Sequence, residues 1–287
     1  MSHDMQHSLT LIAFVGSVFS PYYRWARRDG QPANPENHCA INVALYGPGG
    51  RWAMTERGSG QLQRDINSLV VGSSRLDWDG QCLHMRLDEI SVPWFKPLRG
   101  HIRLWPEQLL NFSVALDDAG RHHWGPLAPK ARIEVDLKHP DLKWQGHAYL
   151  DSNEGVEPLE DAFHSWDWSR THHADGSTEV TYDLHGPDRD DRLLRLRFDG
   201  SGLVSELPPV PHQALPKTGW RLDRRARSSV APKVAQQLED TPFYQRCVLA
   251  RPDLGPHTHT FHESLSLPRF VSPIVQAMLP WRMPRRA

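Results

Sequence analysis

The familiar signatures of cofactor and hydrolase chemistry are missing from these 287 residues. No GxGxxG opens a strand–helix unit and no GxxxxGK[ST] offers a phosphate cradle. Neither GxSxG nor HExxH occurs, so nucleotide cofactors and serine hydrolysis are not expected. Charge of one sign is also missing: 33 Lys and Arg face 34 Asp and Glu, for a net charge of −1. That balance lacks the electrostatic footprint of a nucleic-acid binder, so no nucleic-acid partner is expected. Long apolar runs are absent too. The stretch Leu9 to Phe19 carries Thr10, Gly16 and Ser17, and it is too short to cross a bilayer, which takes about 20 residues. The N-terminus has no charged start leading to a small-residue cleavage site, so a cytoplasmic or membrane-peripheral location is expected. Cysteine is scarce, with Cys39, Cys82 and Cys247 outside any CxxC, which suits free thiols in a reducing compartment.

What the chain does have is 11 tryptophans and 24 prolines. Proline at that density disfavours long helices and punctuates strands and loops. Ala40 to Tyr46, the turn Gly47-Pro48-Gly49-Gly50 and Arg51 to Thr55 read as a hairpin. Leu76 to Met85, turning at Asp79-Gly80, reads the same way, as do Glu179 to Leu184, Gly186-Pro187-Asp188 and Leu193 to Phe198. Helical periodicity is confined to Val234–Leu238 and Pro273–Leu279. The expected fold is mostly β.

Phe14-x-Gly16-x-Val18-Phe19 resembles Trp144-x-Gly146-x-Ala148-Tyr149. An aromatic followed by a glycine suits the first strand of a curled sheet, because glycine permits a sharp bend. Read as a duplication, this divides the chain near Lys138 to Asp141. The expectation is two tandem lipocalin-like antiparallel β-barrels or sheets, residues 1–139 and 140–287, with short C-terminal helical segments. Pro208 to Pro216 becomes a loop of the second.

Side chains two apart in a strand share a face. His122 and Trp124 form one such pair, and Tyr149 and Asp151 another. Asp151 leaves a strand whose alternate positions are small or apolar. Burial there disfavours the anion and raises the carboxyl pKa, leaving a proton donor near neutral pH. The competing reading is a solvated aspartate in a turn, Asp151 to Gly155. Trp166 and Trp168 share a face, with Asp167 on the other. They suit either barrel core or a π surface that holds a polyene or stabilises a cation. His257, His259 and Glu263 have the spacing of half a cupin metal motif. No histidine follows Glu263 to complete it, so no metal is expected.

Five strings in order carry a resemblance: Gly16-Ser-Val-Phe-Ser-Pro-Tyr-Tyr23, Glu36-Asn-His-Cys-Ala-Ile-Asn-Val43, Arg51-Trp-Ala-Met-Thr-Glu-Arg-Gly58, Gly146-His-Ala-Tyr-Leu-Asp-Ser-Asn153 and His262-Glu-Ser-Leu-Ser-Leu267. Over about Leu11 to Arg286 the chain resembles the carotenoid 1,2-hydratases of photosynthetic bacteria, also called hydroxyneurosporene synthases. An N-terminal extension found in some relatives is expected to be absent. The resemblance implies a two-domain lipocalin-like hydro-lyase that needs no cofactor. Its substrates are water and acyclic carotenoids such as neurosporene and lycopene, hydrated at the terminal C1=C2 bond. An isolated alkene must be protonated before water attacks, which calls for a neutral carboxylic acid, a face tolerant of positive charge, and a base. Asp151 is the expected acid, His122 the base, Tyr149 and Trp124 their neighbours, and Trp166 and Trp168 substrate-binding walls. Keeping Asp151 mostly protonated near neutral pH requires raising its pKa by roughly 3 units, at about 4 kcal/mol. Because the substrate lives in lipid, the C-terminal stretch Ile274 to Arg286 is expected to touch the inner or photosynthetic membrane peripherally. The rival expectations are a non-catalytic lipocalin-like carrier of apolar isoprenoids and a pericyclase or cyclase on the same scaffold.

Overall fold

A computed structural model describes residues 1–187 and 191–286; Asp188 of the expected third turn lies outside them. Strands dominate, and nearly every pairing is antiparallel. The described strands pair as open sheets rather than closed barrels. All three expected hairpin pairings form. Cys39–Tyr46 pairs with Arg51–Met54, Ser74–Trp78 with Leu83–Ile90, and Thr178–His185 with Asp191–Phe198. The apolar stretch near the start is the strand Ser8–Val15. None of the described helices is long and apolar enough to cross a membrane. All three cysteines are free and buried.

The chain forms two compact units that interleave along the sequence. One comprises residues 1–107, 131–148 and 276–287, the other residues 108–130 and 149–275. The long strands His122–His139 and Leu142–Gly155 each contribute to both units.

The second unit is built on a seven-stranded sheet. Its order runs Val204–Glu206, Asp191–Phe198, Thr178–His185, Ser165–His172, His259–Ser266, Tyr244–Ala250 and Lys233–Asp240. The strand Thr178–His185 shows why both faces are covered. Every residue in it is buried, yet apolar Val180, Tyr182 and Leu184 alternate with polar Glu179, Thr181, Asp183 and His185. Period-two geometry sends the two sets to opposite faces. Polar groups buried this way must be paired. Arg195 reaches Glu179, Arg227 reaches Asp183, and Asp191 reaches His185. The segment expected to be a loop, residues 208–216, includes the short strand His212–Ala214, which pairs with Arg225–Arg227.

Two sequence expectations fail here. Val234–Leu238 is not helical but lies in the strand Lys233–Asp240, whose register shifts twice, between Val234 and Gln236 and between Gln237 and Glu239. Each such irregularity inserts an extra residue and breaks strict alternation, which mimics a helical spacing. The helix Pro273–Arg282, by contrast, forms as expected. The two glycines of the apparent repeat also serve different needs. Gly16 leaves a strand with φ +80°, whereas Gly146 sits inside one, where an added Cβ would lie 1.9 Å from the Met1 carbonyl oxygen. The likeness of these two strings is not a shared strand corner.

Candidate active site

Alternation along Ser165–His172 places Trp166, Trp168 and Arg170 on one face of the seven-stranded sheet. Register then sets Tyr182 and Glu263 on either side of Trp168, and Arg246 beside Glu263. Residues from the 122–139 and 142–155 strands pack on this face. The Tyr149 ring lies 5.6 Å from Trp168, and the Trp124 ring lies 5.7 Å from Tyr182. His122, Trp124, Tyr149, Asp151, Trp166 and Trp168 therefore all belong to one unit; Trp124, Tyr149, Trp166 and Trp168 form a cluster of rings that Asp151 joins through Trp124, with His122 at its edge.

Asp151 is the acid of this cluster. It lies within the strand Leu142–Gly155, not in a turn, and Trp124 Nε1 donates to its Oδ2 at 3.0 Å. The residue keeps some surface, but its carboxyl is packed round by protein. Desolvation pushes its pKa up from 3.8 to about 6, helped by the negative charge of Glu263. The Trp124 and Tyr149 donors and the Arg170 charge pull the other way without cancelling it. The Tyr149 hydroxyl is buried and makes no well-aligned hydrogen bond, although it lies close enough to Asp151 to favour the carboxylate. Burial also holds the Tyr149 phenol well above its ordinary range, so it stays a neutral donor.

Arg170 was not singled out by the sequence reading, though it continues the Trp166, Trp168 alternation. Its guanidinium lies 5.2 Å from the Tyr149 ring centre and 5.7 Å from that of Phe261. Nη1 donates to His172 Nε2 at 2.8 Å, while Nε is buried without a hydrogen-bond partner. Burial pushes its pKa down to about 10, which leaves it charged at neutral pH. Glu263 is held by Arg246, whose Nε and Nη2 each donate at 2.8 Å.

His122 occupies the other end of a ring chain. Its imidazole lies 5.1 Å from Phe163, Phe163 lies 6.0 Å from Trp166, and Trp166 lies 6.0 Å from Tyr182, which meets Trp124. These are tilted or edge-on contacts at ordinary aromatic spacing. Burial lowers the His122 pKa from 6.5, opposed by the carboxylates of Asp117 and Glu157. Its Nε2 is 3.6 Å from Glu157 Oε1, and Glu157 in turn pairs with Arg121 at 2.7 Å. A neutral imidazole beside a carboxylate is a competent proton acceptor, because the imidazolium that forms is stabilised.

Gly155 lets the ring sit there. A Cβ at this position would fall 2.4 Å from His122 Nδ1 and 2.9 Å from Cε1. Gly155→Ala is expected to fold while displacing the imidazole. A misplacement of about 1 Å costs roughly 10²-fold in rate. Steady-state turnover checks this, and wild-type activity in the variant would separate His122 from the reaction.

The residues with metal-motif spacing do not gather. His257 lies in the turn before the strand His259–Ser266, and Glu263 is engaged by Arg246. A different trio, Asp183, His185 and His212, brings its ligand atoms within 4.8 Å of one another on the opposite face of the sheet. Arg227 already donates to both Asp183 oxygens, at 2.8 and 3.1 Å. Arg225 Nη2 lies 3.3 Å from His185 Nε2. Two guanidiniums among three ligands repel a cation, and the trio is a charge-balanced network that ties the 212–214 and 225–227 strands to the sheet.

The family model for the carotenoid hydratase CrtC matches residues 11–287. The acyclic carotenoid 1,2-hydratase of Rubrivivax gelatinosus is 51% identical over 100% of this chain and 72% of its own length. The enzyme of the same name from Thiocapsa roseopersicina is 50% identical over 99% of this chain and 71% of its own. That from Cereibacter sphaeroides is 40% identical over 96% and 98%. Among solved structures, an AttH protein from Nitrosomonas europaea superposes with a TM-score of 0.58 at 14% identity, covering 79% of this chain and 81% of its own. Kievitone hydratase from Nectria haematococca gives 0.51 at 11% identity, covering 81% of each. Those two bear on the fold alone, which is mostly β and lipocalin-like. The sequence relatives go further: the chain belongs to the CrtC family of carotenoid hydratases, which are hydro-lyases.

Proposed function

We propose that this chain adds water to the terminal C1=C2 bond of acyclic carotenoids such as neurosporene and lycopene, by acid protonation and without a cofactor. The observation that carries the reading is the Asp151 carboxyl, pushed up to about 6 by burial and set against a wall of aromatic rings. Protonated Asp151 delivers its proton to C2. The C2–H bond forms from the π electrons, and the positive charge develops at the tertiary carbon C1. Ring faces of Trp124, Tyr149, Trp166 and Trp168 stabilise that charge through their quadrupoles. Water attacks C1 and loses a proton to neutral His122, whose imidazolium is balanced by Glu157. Once the product leaves, the His122 imidazolium releases its proton to solvent and the Asp151 carboxylate regains one, which restores both groups.

Water and the carotenoid are thus the proposed partners, with no nucleic acid. Because the substrate is dissolved in lipid, peripheral contact with the inner or photosynthetic membrane from the cytoplasmic side completes the reading.

Incubation of the purified protein with lycopene in heavy water tests it. The product is expected to gain one water and carry a single non-exchangeable deuterium at C2. Polyene recovered unchanged would favour a carrier, and a hydrated product without deuterium at C2 would remove solvent-equilibrated acid catalysis.

A further inference from the structure

The first unit carries a cluster of exposed aromatics that no core explains. The hairpin joining Leu83–Ile90 to Pro97–Pro106 is closed by Ser91 N–H and Oγ, which both donate to the Lys96 carbonyl, at 2.8 and 2.9 Å. At its tip Trp94 is 77% exposed and Phe95 73% exposed. Phe95 also holds φ +50°, a left-handed conformation that is a genuine outlier for a bulky residue. Strain of this kind persists where the surrounding structure enforces it, and it clusters at ligand-engaging sites. Here it presents an aromatic pair to solvent, where burial gives nothing back.

A second apolar face is tied to the same end of the unit through Trp52. Val92 N–H donates to the Trp52 carbonyl at 2.9 Å, and the Arg282 guanidinium stacks 4.0 Å over the Trp52 ring. Arg282 ends the helix Pro273–Arg282. Its Leu279 is buried, whereas Met278 is 43% and Trp281 85% exposed. Cations lie next to these features in the chain: Lys96 follows Phe95 directly, Arg51 precedes Trp52, and Arg282 follows Trp281 and ends the helix. The acids of the neighbouring strands are already matched: Asp88 with Arg99, Glu89 with Arg57, and Glu56 with Arg285.

We infer that the Trp94–Phe95 tip, together with the Met278–Trp281 face, docks this unit on the headgroup–acyl boundary of an anionic bilayer. Tryptophan and phenylalanine flanked by Lys and Arg are what that boundary accepts. The rings bury in the interface while the cations meet lipid phosphate. The inference rests on the carotenoid reading for its purpose, since the substrate must come from lipid, but its observations are independent of the Asp151 cluster.

The test is co-sedimentation of the full chain with phosphatidylcholine vesicles, with and without phosphatidylglycerol. Wild type is expected to pellet with the mixed vesicles and much less with the neutral ones. The double variant Trp94→Ser/Phe95→Ser is expected to lose about tenfold or more in partitioning, and Trp281→Ser less. Both variants should hydrate detergent-dispersed lycopene at the wild-type rate and fall behind on vesicle-embedded lycopene. The inference is overturned if wild type ignores anionic vesicles, if the double variant binds as wild type does, if neutral vesicles bind equally, or if the aromatics prove to join two copies of the chain instead. Loss of the hydratase reading would look different: vesicle binding intact, with no water added in detergent.

Discussion

Asp151→Asn is expected to fold, to retain its apolar ligand, and to lose hydration by about 10³-fold or more. A positioned general acid contributes typically 10² to 10⁴, and an isolated alkene offers no other site for polarisation. The amide preserves shape and still accepts from Trp124 Nε1, the hydrogen bond seen at 3.0 Å, but it has no acidic proton to deliver. Stability separates this loss from simple misfolding. The folded-state pKa of Asp151, about 6, lies above its ordinary 3.8. Its favourable contribution is therefore complete below pH 3.8 and is lost as pH rises through about 6. Above that the buried anion costs about 1–3 kcal/mol, discounted for the residue's remaining surface. The variant should then be more stable than wild type at pH 8, with the difference shrinking toward pH 4, as urea unfolding at the two pH values would show. Unchanged turnover would remove Asp151 from the chemistry.

The second large effect is a bell in pH. Two protonation states are required together, a neutral His122 and a protonated Asp151. Burial lowers the first below its ordinary 6.5 and raises the second to about 6. The acid is ionised as pH rises through about 6, so kcat/KM of the free enzyme is expected to fall about tenfold per unit above that, hence on the order of 10²-fold by pH 8, and to fall again on the acid side where the depressed His122 becomes protonated. In kcat the descending limb should lie at higher pH, because a polyene bound against Asp151 excludes water and further disfavours the carboxylate. Trp124→Phe removes a donor that favours the anion, so the same limb should move up in pH while the rate falls. A profile flat from pH 5 to pH 8 would contradict the assignment of Asp151 as the acid.

Period-two alternation made much of this cluster legible in the sequence. It pairs His122 with Trp124, Tyr149 with Asp151, and Trp166 with Trp168, and each pair does share a face. The same count carried two residues further reaches Arg170. Tyr182 and Glu263 were beyond it. Their places beside Trp168 depend on strand register, which joins residues 14 and 95 positions away along the chain. Turn residues found the hairpins for a similar local reason. The strand Lys233–Asp240 was misread because its two irregularities destroy alternation. The interleaving of the two compact units has no local signature, because the long strands His122–His139 and Leu142–Gly155 contribute to both. Motif spacing alone put His257, His259 and Glu263 together, and the partner that occupies Glu263, Arg246, comes from the neighbouring strand.

Infrared titration of the Asp151 carboxyl, as the difference between wild type and Asp151→Asn, tests the buried acid most directly. A protonated-carboxyl band that survives above pH 5 and titrates near 6 is the expected result. A carboxyl already ionised at pH 5 would contradict it, and with it the proposal that this group protonates the alkene.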